Sequence, residues 1–156
     1  MLRPRHPESE LLRRHVRTPT YPPSPRWRVP ARFRPYDEPR PVSIETVVDW
    51  LADSVDAVGE VEFEVAGTPQ RLVAFSDGDA GELWLLFADA TSGETTYTCR
   101  QLAVGAPAPD GTLVLDLNRA HNPPCAYTDF STCPLPPPAN RLTVRIEAGE
   151  RLPADR

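Results

Sequence analysis

Residues 60–75 read Glu60-Val61-Glu62-Phe63-Glu64-Val65-Ala66-Gly67-Thr68-Pro69-Gln70-Arg71-Leu72-Val73-Ala74-Phe75, and their pattern decides the fold. Val61, Phe63 and Val65 alternate with three glutamates, so one face of a strand is buried and the other is wet. Ala66-Gly67-Thr68-Pro69 has turn chemistry, and residues 71–75 return as a second strand.

The pattern continues on both sides of this hairpin. Asp77-Gly78-Asp79-Ala80-Gly81 is a second turn, and Leu83-Trp84-Leu85-Leu86-Phe87 is apolar throughout, as in a central strand covered on both faces. Residues 95–104 are rich in Thr, Tyr and Val, a strand composition. Pro107-Ala108-Pro109-Asp110-Gly111 turns into a strand over 113–117, and Leu142, Val144 and Ile146 form a last alternating strand. Upstream, Trp27, Val29, Ala31 and Phe33 alternate with Arg28, Pro30, Arg32 and Arg34, and Pro30 marks an edge strand. Val42, Ile44, Thr46 and Val48 alternate too. Ile44, Val47, Val48, Leu51 and Val55 also fit a helical face capped by Ser43, but a hairpin is favoured. About eight short strands at hairpin spacing predict an all-β fold: a single antiparallel β-sandwich or a partly closed barrel.

Composition agrees. A chain of 156 residues is one domain by size, and 20 prolines argue against a helical bundle. All 17 basic residues are arginine. Residues 1–41 carry a net +6 and residues 42–156 a net −11. This divides the chain into a Pro/Arg-rich basic arm over 1–26, a β domain over 27–150 and a tail over 151–156. Residues 9–17 fit two helical turns with Ser9 as N-cap. Clustered arginines invite a nucleic-acid reading, but an acidic body would repel phosphates, so the arm is expected to lie near its own body. No apolar run reaches the ~20 residues that span a bilayer, and residues 1–25 lack the apolar core of a secretory signal. The expectation is a cytoplasmic protein with three reduced cysteines and neither nucleic acid nor membrane as partner; oligomeric state stays open.

One segment breaks the strand rhythm. Residues 118–141 contain six prolines and the apolar anchors Tyr127, Phe130 and Leu135, which predicts a long ordered loop wrapped over one end of the sheet. The runs Phe87-Ala88-Asp89-Ala90-Thr91-Ser92-Gly93, Val114-Leu115-Asp116-Leu117-Asn118-Arg119-Ala120, Asn122-Pro123-Pro124-Cys125-Ala126-Tyr127, Cys133-Pro134-Leu135-Pro136-Pro137-Pro138 and Asn140-Arg141-Leu142 together resemble a widespread prokaryotic family, domain of unknown function 1684. The resemblance covers residues 27–150, implies a bacterial source and implies no activity. The chain departs from that family's pattern in its short proline-rich N-terminal part, in His121 where an aromatic is usual, and in Thr98-Cys99-Arg100-Gln101-Leu102 where a glycine-rich version is usual.

Candidate chemistry gathers around these runs. The leading reading is a small-molecule-binding protein, sharpened to a cofactor-independent enzyme of isomerase, cyclase or hydrolase type, with its pocket under the 118–141 loop. Arg100, Arg119, Asn118 and Asn122 would bind polar groups. Asp89 or Asp116 would be the acid/base, Thr91 and Ser92 a polar lip, and Trp84, Tyr97 and Tyr127 apolar walls. The plainer reading makes Asp89 and Thr91 turn-forming groups, and has Arg119 pair with Asp89 or Asp116. A metal site of His121, Cys125 and Cys133, with Asp129 as fourth ligand, is a second possibility, although the spacing matches no standard zinc pattern and buried thiols are the simpler reading. A nucleophilic Cys125 activated by His121 lacks a supporting motif. A third reading is a non-catalytic partner-binding module that uses the arm and a polyproline face at Pro136-Pro137-Pro138. No phosphate-cradling glycine loop or hydrolase elbow is present, so no cofactor is expected.

Overall fold

A computed structural model of the chain describes residues 7–46, 52–78 and 81–154. It is all-β apart from one short helix, α1 (Glu10–Arg14), and a few single 3-10 turns. The strands are β1 (Arg28–Glu45), β2 (Ala52–Val65), β3 (Thr68–Ser76), β4 (Leu83–Phe87), β5 (Arg100–Val104) and β6 (Thr112–Asp116). They form one antiparallel sheet in the order β5-β4-β3-β2-β1-β6, curled into a half-barrel. Of the two architectures expected, the partly closed barrel is the one that fits. The edge strands β5 and β6 come into contact, and just past β6 the backbones of Gln101 and His121 exchange hydrogen bonds of 2.8 and 2.9 Å. That bridge closes one end of the half-barrel.

The deciding hairpin forms as read. Val65 pairs with Thr68 across the two-residue turn Ala66-Gly67. Both turn residues have positive φ, +50° and +78°, a left-handed conformation whose twist matches the flanking strands and which Gly67 adopts without strain. The alternation then separates two apolar clusters. Val61, Phe63, Leu72, Leu85, Phe87 and Leu115 fill the concave face. Ile44, Phe75, Leu86 and Cys99 form a second cluster on the other face, with Trp84, Tyr97 and Leu135 packed against it. β4 is therefore buried on both faces, as its unbroken apolar run requires.

Several expectations need correction. The hairpin, and not the helix, is right for residues 42–46: Val42 pairs with Val55 and Ile44 with Asp53. Val47, Val48 and Leu51 lie outside the described residues, as do Asp79 and Ala80 of the second turn. β1 is no edge strand, because β2 and β6 flank it. Pro30 is tolerated because the β1–β2 ladder begins only at Ala31, so its missing N–H falls beyond the end of that ladder. The expected strand over 95–104 shrinks to β5; residues 91–96 form a turn in which Thr91 and Thr96 join hydroxyls at 2.8 Å. The expected last strand keeps its alternation, with Leu142 and Ile146 buried, but is not a ladder strand. Its Ile146 N–H goes to the Asp89 carboxylate (3.1 Å) instead of to a neighbouring carbonyl. The helix expected over residues 9–17 is α1 alone, with Leu12 and Val16 exposed.

Candidate functional site

The apolar run of β4 delivers Asp89 to the end of the sheet, and β5 begins with Arg100 beside it. Both side chains are wholly shielded from solvent and meet at 2.7 Å. Asp89 Oδ1 also accepts the Thr91 N–H (2.8 Å), the Thr91 hydroxyl (2.7 Å) and the Ile146 N–H. Arg100 donates to the carbonyls of Ile146 (2.9 Å), Ala148 and Glu150, and its guanidinium carbon lies 5.4 Å from the centre of the Phe87 ring. The pair staples β4 and β5 to the extended segment 146–150. Buried charges persist only when paired and hydrogen-bonded in this way. The acid expected to do chemistry and the arginine expected to bind ligand are thus joined, with their donors and acceptors turned inward.

On this platform lies a cleft of about 290 Å³ lined by Ala88, Asp89, Ser92, Thr98, Arg141 and Leu142. Ser92 Oγ accepts the Asp89 N–H at 3.0 Å, which fixes the hydroxyl at the cleft wall. Arg141 is exposed and forms no ion pair among the described residues. It is held in place because Asn140 is completely buried: Asn140 Oδ1 accepts the Val73 N–H (2.7 Å), and its amide donates to Val73 O and Leu86 O.

On the other side of segment 146–150, a second polar network joins Asn122, Tyr127 and Glu150. Glu150 Oε2 accepts the Asn122 N–H (2.7 Å) and the Tyr127 hydroxyl (3.0 Å). Asn122 Nδ2 donates to Arg151 O and to Tyr127. These donations fix the amide orientation and leave its buried Oδ1 without a partner in the structure. Burial, followed by the charge of Glu150, pushes the Tyr127 phenol above its ordinary value, against the bonds from Thr18 and Asn122. The basic arm crosses this network. Thr18 meets the Tyr127 hydroxyl at 3.0 Å, His15 packs edge-on against its ring, Tyr21 reaches Thr95 at 2.7 Å, and Thr20 bridges Glu150.

The remaining expected residues are dispersed. Asp116 sits 3.8 Å from Arg28 and accepts the Asn118 amide, and Asn118 exchanges two hydrogen bonds with the backbone of Ser24. This pair ties the arm to the end of β6. Arg119 is exposed and meets neither Asp89 nor Asp116. Trp84 packs against Phe75 in the outer apolar cluster, ring centres 5.4 Å apart and planes tilted by 49°, and the Tyr97 hydroxyl donates to Cys125 O.

The proposed metal ligands do not converge. Among the described residues no group of three His, Cys, Asp or Glu side chains could hold a metal ion. His121 is exposed while Cys125 and Cys133 are buried. The three thiols instead sit near one another: Cys133 Sγ accepts the Cys125 N–H at 3.2 Å. Burial, reinforced by the neighbouring thiols, pushes Cys99 up to about 12, and burial with the Cys133 contact pushes Cys125 up to about 11. Thiols held so far from ionisation are poor nucleophiles and poor metal ligands. Pro136 and Pro137 are buried and Pro138 is exposed, so the expected polyproline face at 136–138 offers only one of its three prolines to a partner.

Sequence reasoning missed Arg141, Asn140 and Glu150 as site residues. Asn140-Arg141-Leu142 stood among the runs that carry the resemblance, and Glu150 follows the turn glycine Gly149, but no spacing marked either.

Comparison with known proteins adds a family and a fold. A family model described as a protein of unknown function (DUF1684) matches residues 14–151. A solution NMR structure of an uncharacterized protein of Haloarcula marismortui is similar, with 29% identity and a TM-score of 0.71 over 89% of this chain and 78% of that one. No curated protein matches the sequence.

Proposed function

This chain belongs to the DUF1684 family, and we propose that it is a small-molecule-binding protein that takes an anionic ligand in the cleft at Arg141. One observation carries the reading: Arg141 lines the cleft beside Ser92 and Thr98 and forms no ion pair among the described residues. Its planar fork suits a carboxylate or a phosphate, and the Ser92 and Thr98 hydroxyls add donors on the same cleft. The neutral Asp89–Arg100 pair behind them supplies a rigid wall that does not repel an anion. On this reading the ligand lies at the C-terminal end of the 118–141 loop. Binding is favoured over catalysis because Asp89 has no exposed carboxylate surface and Asp116 is engaged by Arg28 and Asn118. We place the protein in the cytoplasm, where its three buried cysteines would stay reduced.

The test is a thermal-shift screen of small carboxylates and phosphate esters on the full chain, repeated with Arg141→Gln. At least one anion should raise Tm for the native chain, and the variant should bind it about tenfold or more weakly. An unchanged response in Arg141→Gln would refute the assignment.

A further inference from the structure

The three cysteines gather where the long loop meets the outer apolar cluster, and two of them are held as a pair. Cys125 lies in the 3-10 turn Pro124–Ala126, and the Tyr97 hydroxyl fastens it by donating to Cys125 O at 3.1 Å. Cys133 precedes Pro134, which bridges Thr46, and Leu135, whose N–H reaches Glu45 O at 2.7 Å. Both ends of segment 125–133 are thus fastened to the body, while its tip stands in water, with Phe130 95% exposed. The fastened ends bring the sulfurs together. Cys133 Sγ accepts the Cys125 N–H at 3.2 Å, the two thiols are hydrogen-bonded to each other, and the Ser131 hydroxyl lies 3.4 Å from Cys133 Sγ. Cys125 gives hydrogen bonds and keeps its proton, and Cys133 receives them. Cys99, the third thiol, turns to a different partner, the Pro134 carbonyl at 3.9 Å.

We propose that Cys125 and Cys133 form a reversible oxidation site for a small peroxide, in which Cys133 is oxidised first and Cys125 resolves it into a disulfide. In the first step the Cys133 sulfur attacks one oxygen of hydrogen peroxide and the O–O bond breaks, which gives a Cys133 sulfenic acid and water. In the second the Cys125 sulfur attacks the Cys133 sulfur, the S–O bond breaks, and the hydroxide leaves as water with the Cys125 proton. Two electrons pass from the two thiols to one peroxide. The disulfide needs the sulfurs to close to about 2.05 Å, and they start in hydrogen-bond contact. Both sulfurs are buried, yet the chain between them is exposed at residues 129, 130 and 132, and hydrogen peroxide is little larger than water. A transient disulfide of this kind is how a cysteine pair acts as a sensor in a reducing compartment. Neither sulfur lines the Arg141 cleft, so ligand binding there can fail without touching this chemistry.

The experiment exposes the reduced full chain to hydrogen peroxide at neutral pH, alkylates the remaining thiols in urea and maps the peptides by mass spectrometry. No basic residue lies between Arg119 and Arg141 except His121, so trypsin leaves Cys125 and Cys133 on one peptide. A second cut before Asp129 then separates them unless a disulfide joins them. The Cys125 and Cys133 peptides should stay joined with the loss of two hydrogen atoms, dithiothreitol should part them, and Cys99 should be recovered alkylated. In Cys125→Ser the resolving sulfur is missing, so Cys133 should stop at the sulfenic acid and be trapped by dimedone. In Cys133→Ser, Cys125 should stay a thiol. The map of the native chain decides the pairing even where a serine at a buried position weakens folding. A link from Cys99 to either sulfur would overturn the proposal. So would thiols that stay unmodified in the folded chain at a dose that oxidises them in urea, or dimedone on Cys125 in Cys133→Ser.

Discussion

Asp89→Asn is the substitution that tests whether the Asp89–Arg100 pair is the structural staple of this fold. The Asp89 carboxylate accepts four hydrogen bonds, from Arg100, from Thr91 twice and from the Ile146 backbone. The asparagine keeps the shape but turns one acceptor oxygen into an NH2 that must face donors. It also leaves the Arg100 charge buried and unpaired. Breaking one side of a buried pair costs about 3–5 kcal/mol. Total domain stability is about 5–15 kcal/mol, so this single change removes about a fifth or more of it and lowers Tm by about 6–20 °C. Arg100→Met should cost a similar amount, because it strands the carboxylate and frees the carbonyls of Ile146 and Ala148. The double variant should be only slightly worse than either single one, since the same interaction is lost once. Urea unfolding of the four chains measures this, with an unchanged m-value confirming that only stability moved. A loss below about 1 kcal/mol for Asp89→Asn, or additive losses in the double variant, would refute the staple.

Two further outcomes follow from buried groups. Cys99 ionises at 9.0 when unfolded and at about 12 when folded. The unfolded chain therefore releases its proton first, and stability is full below pH 9 and falls as pH rises toward 12, by up to about 1.4 kcal/mol per pH unit. Cys99→Ala should make that alkaline limb shallower, leaving the parts that Cys125 and Tyr127 contribute, and rapid labelling of Cys99 in the native chain at pH 8 would contradict the burial. Asn140→Ala should cost about 3 kcal/mol in denaturant unfolding, because it leaves Val73 N–H, Val73 O and Leu86 O without their side-chain partner. A cost near zero would show that Asn140 does not fasten the loop.

Much of the sheet was legible because a strand writes its burial into every second residue. Val61, Phe63 and Val65 carried that signal, and Leu83-Trp84-Leu85-Leu86-Phe87 announced a strand with no wet face. The misreadings arose where side chains replaced the ladder. Residues 95–99 have strand composition, yet the Thr91 carbonyl takes the amides of Glu94, Thr95 and Thr96 while Asp89 takes that of Thr91, which makes a turn. Leu142, Val144 and Ile146 alternate as a strand does, but the Ile146 amide belongs to Asp89. Pro30 looked like an edge marker because a sequence shows a missing donor without showing where the neighbouring ladder ends. Candidate residues were recognised as polar and clustered, but partnership is a three-dimensional property. Arg100 and Arg119 were equivalent on paper; one is sealed against Asp89 and the other stands in water.

The prolines of the 118–141 loop have a structural explanation that follows from backbone accounting. A half-barrel with an apolar outer cluster needs a cover, and this loop provides one: Leu135 packs on that cluster, its N–H reaches Glu45 O at 2.7 Å, and Thr46 bridges Pro134. An irregular segment buried against a sheet would ordinarily strand amide donors. Proline carries none. Several amides that remain find partners within the loop, from Ala126 and Tyr127 to the carbonyls of Pro123 and Pro124, and from Asn140 and Arg141 to those of Pro137 and Pro138. Pro137→Ala therefore introduces a buried N–H that costs about 1–3 kcal/mol, besides about 0.4–1 kcal/mol from a looser unfolded chain. Pro138→Ala, at an exposed position, should cost the second amount alone. Urea unfolding of the two variants separates the terms. Equal losses would mean that the prolines stiffen the loop and nothing more, whereas a clearly larger loss at Pro137 shows that they let it be buried.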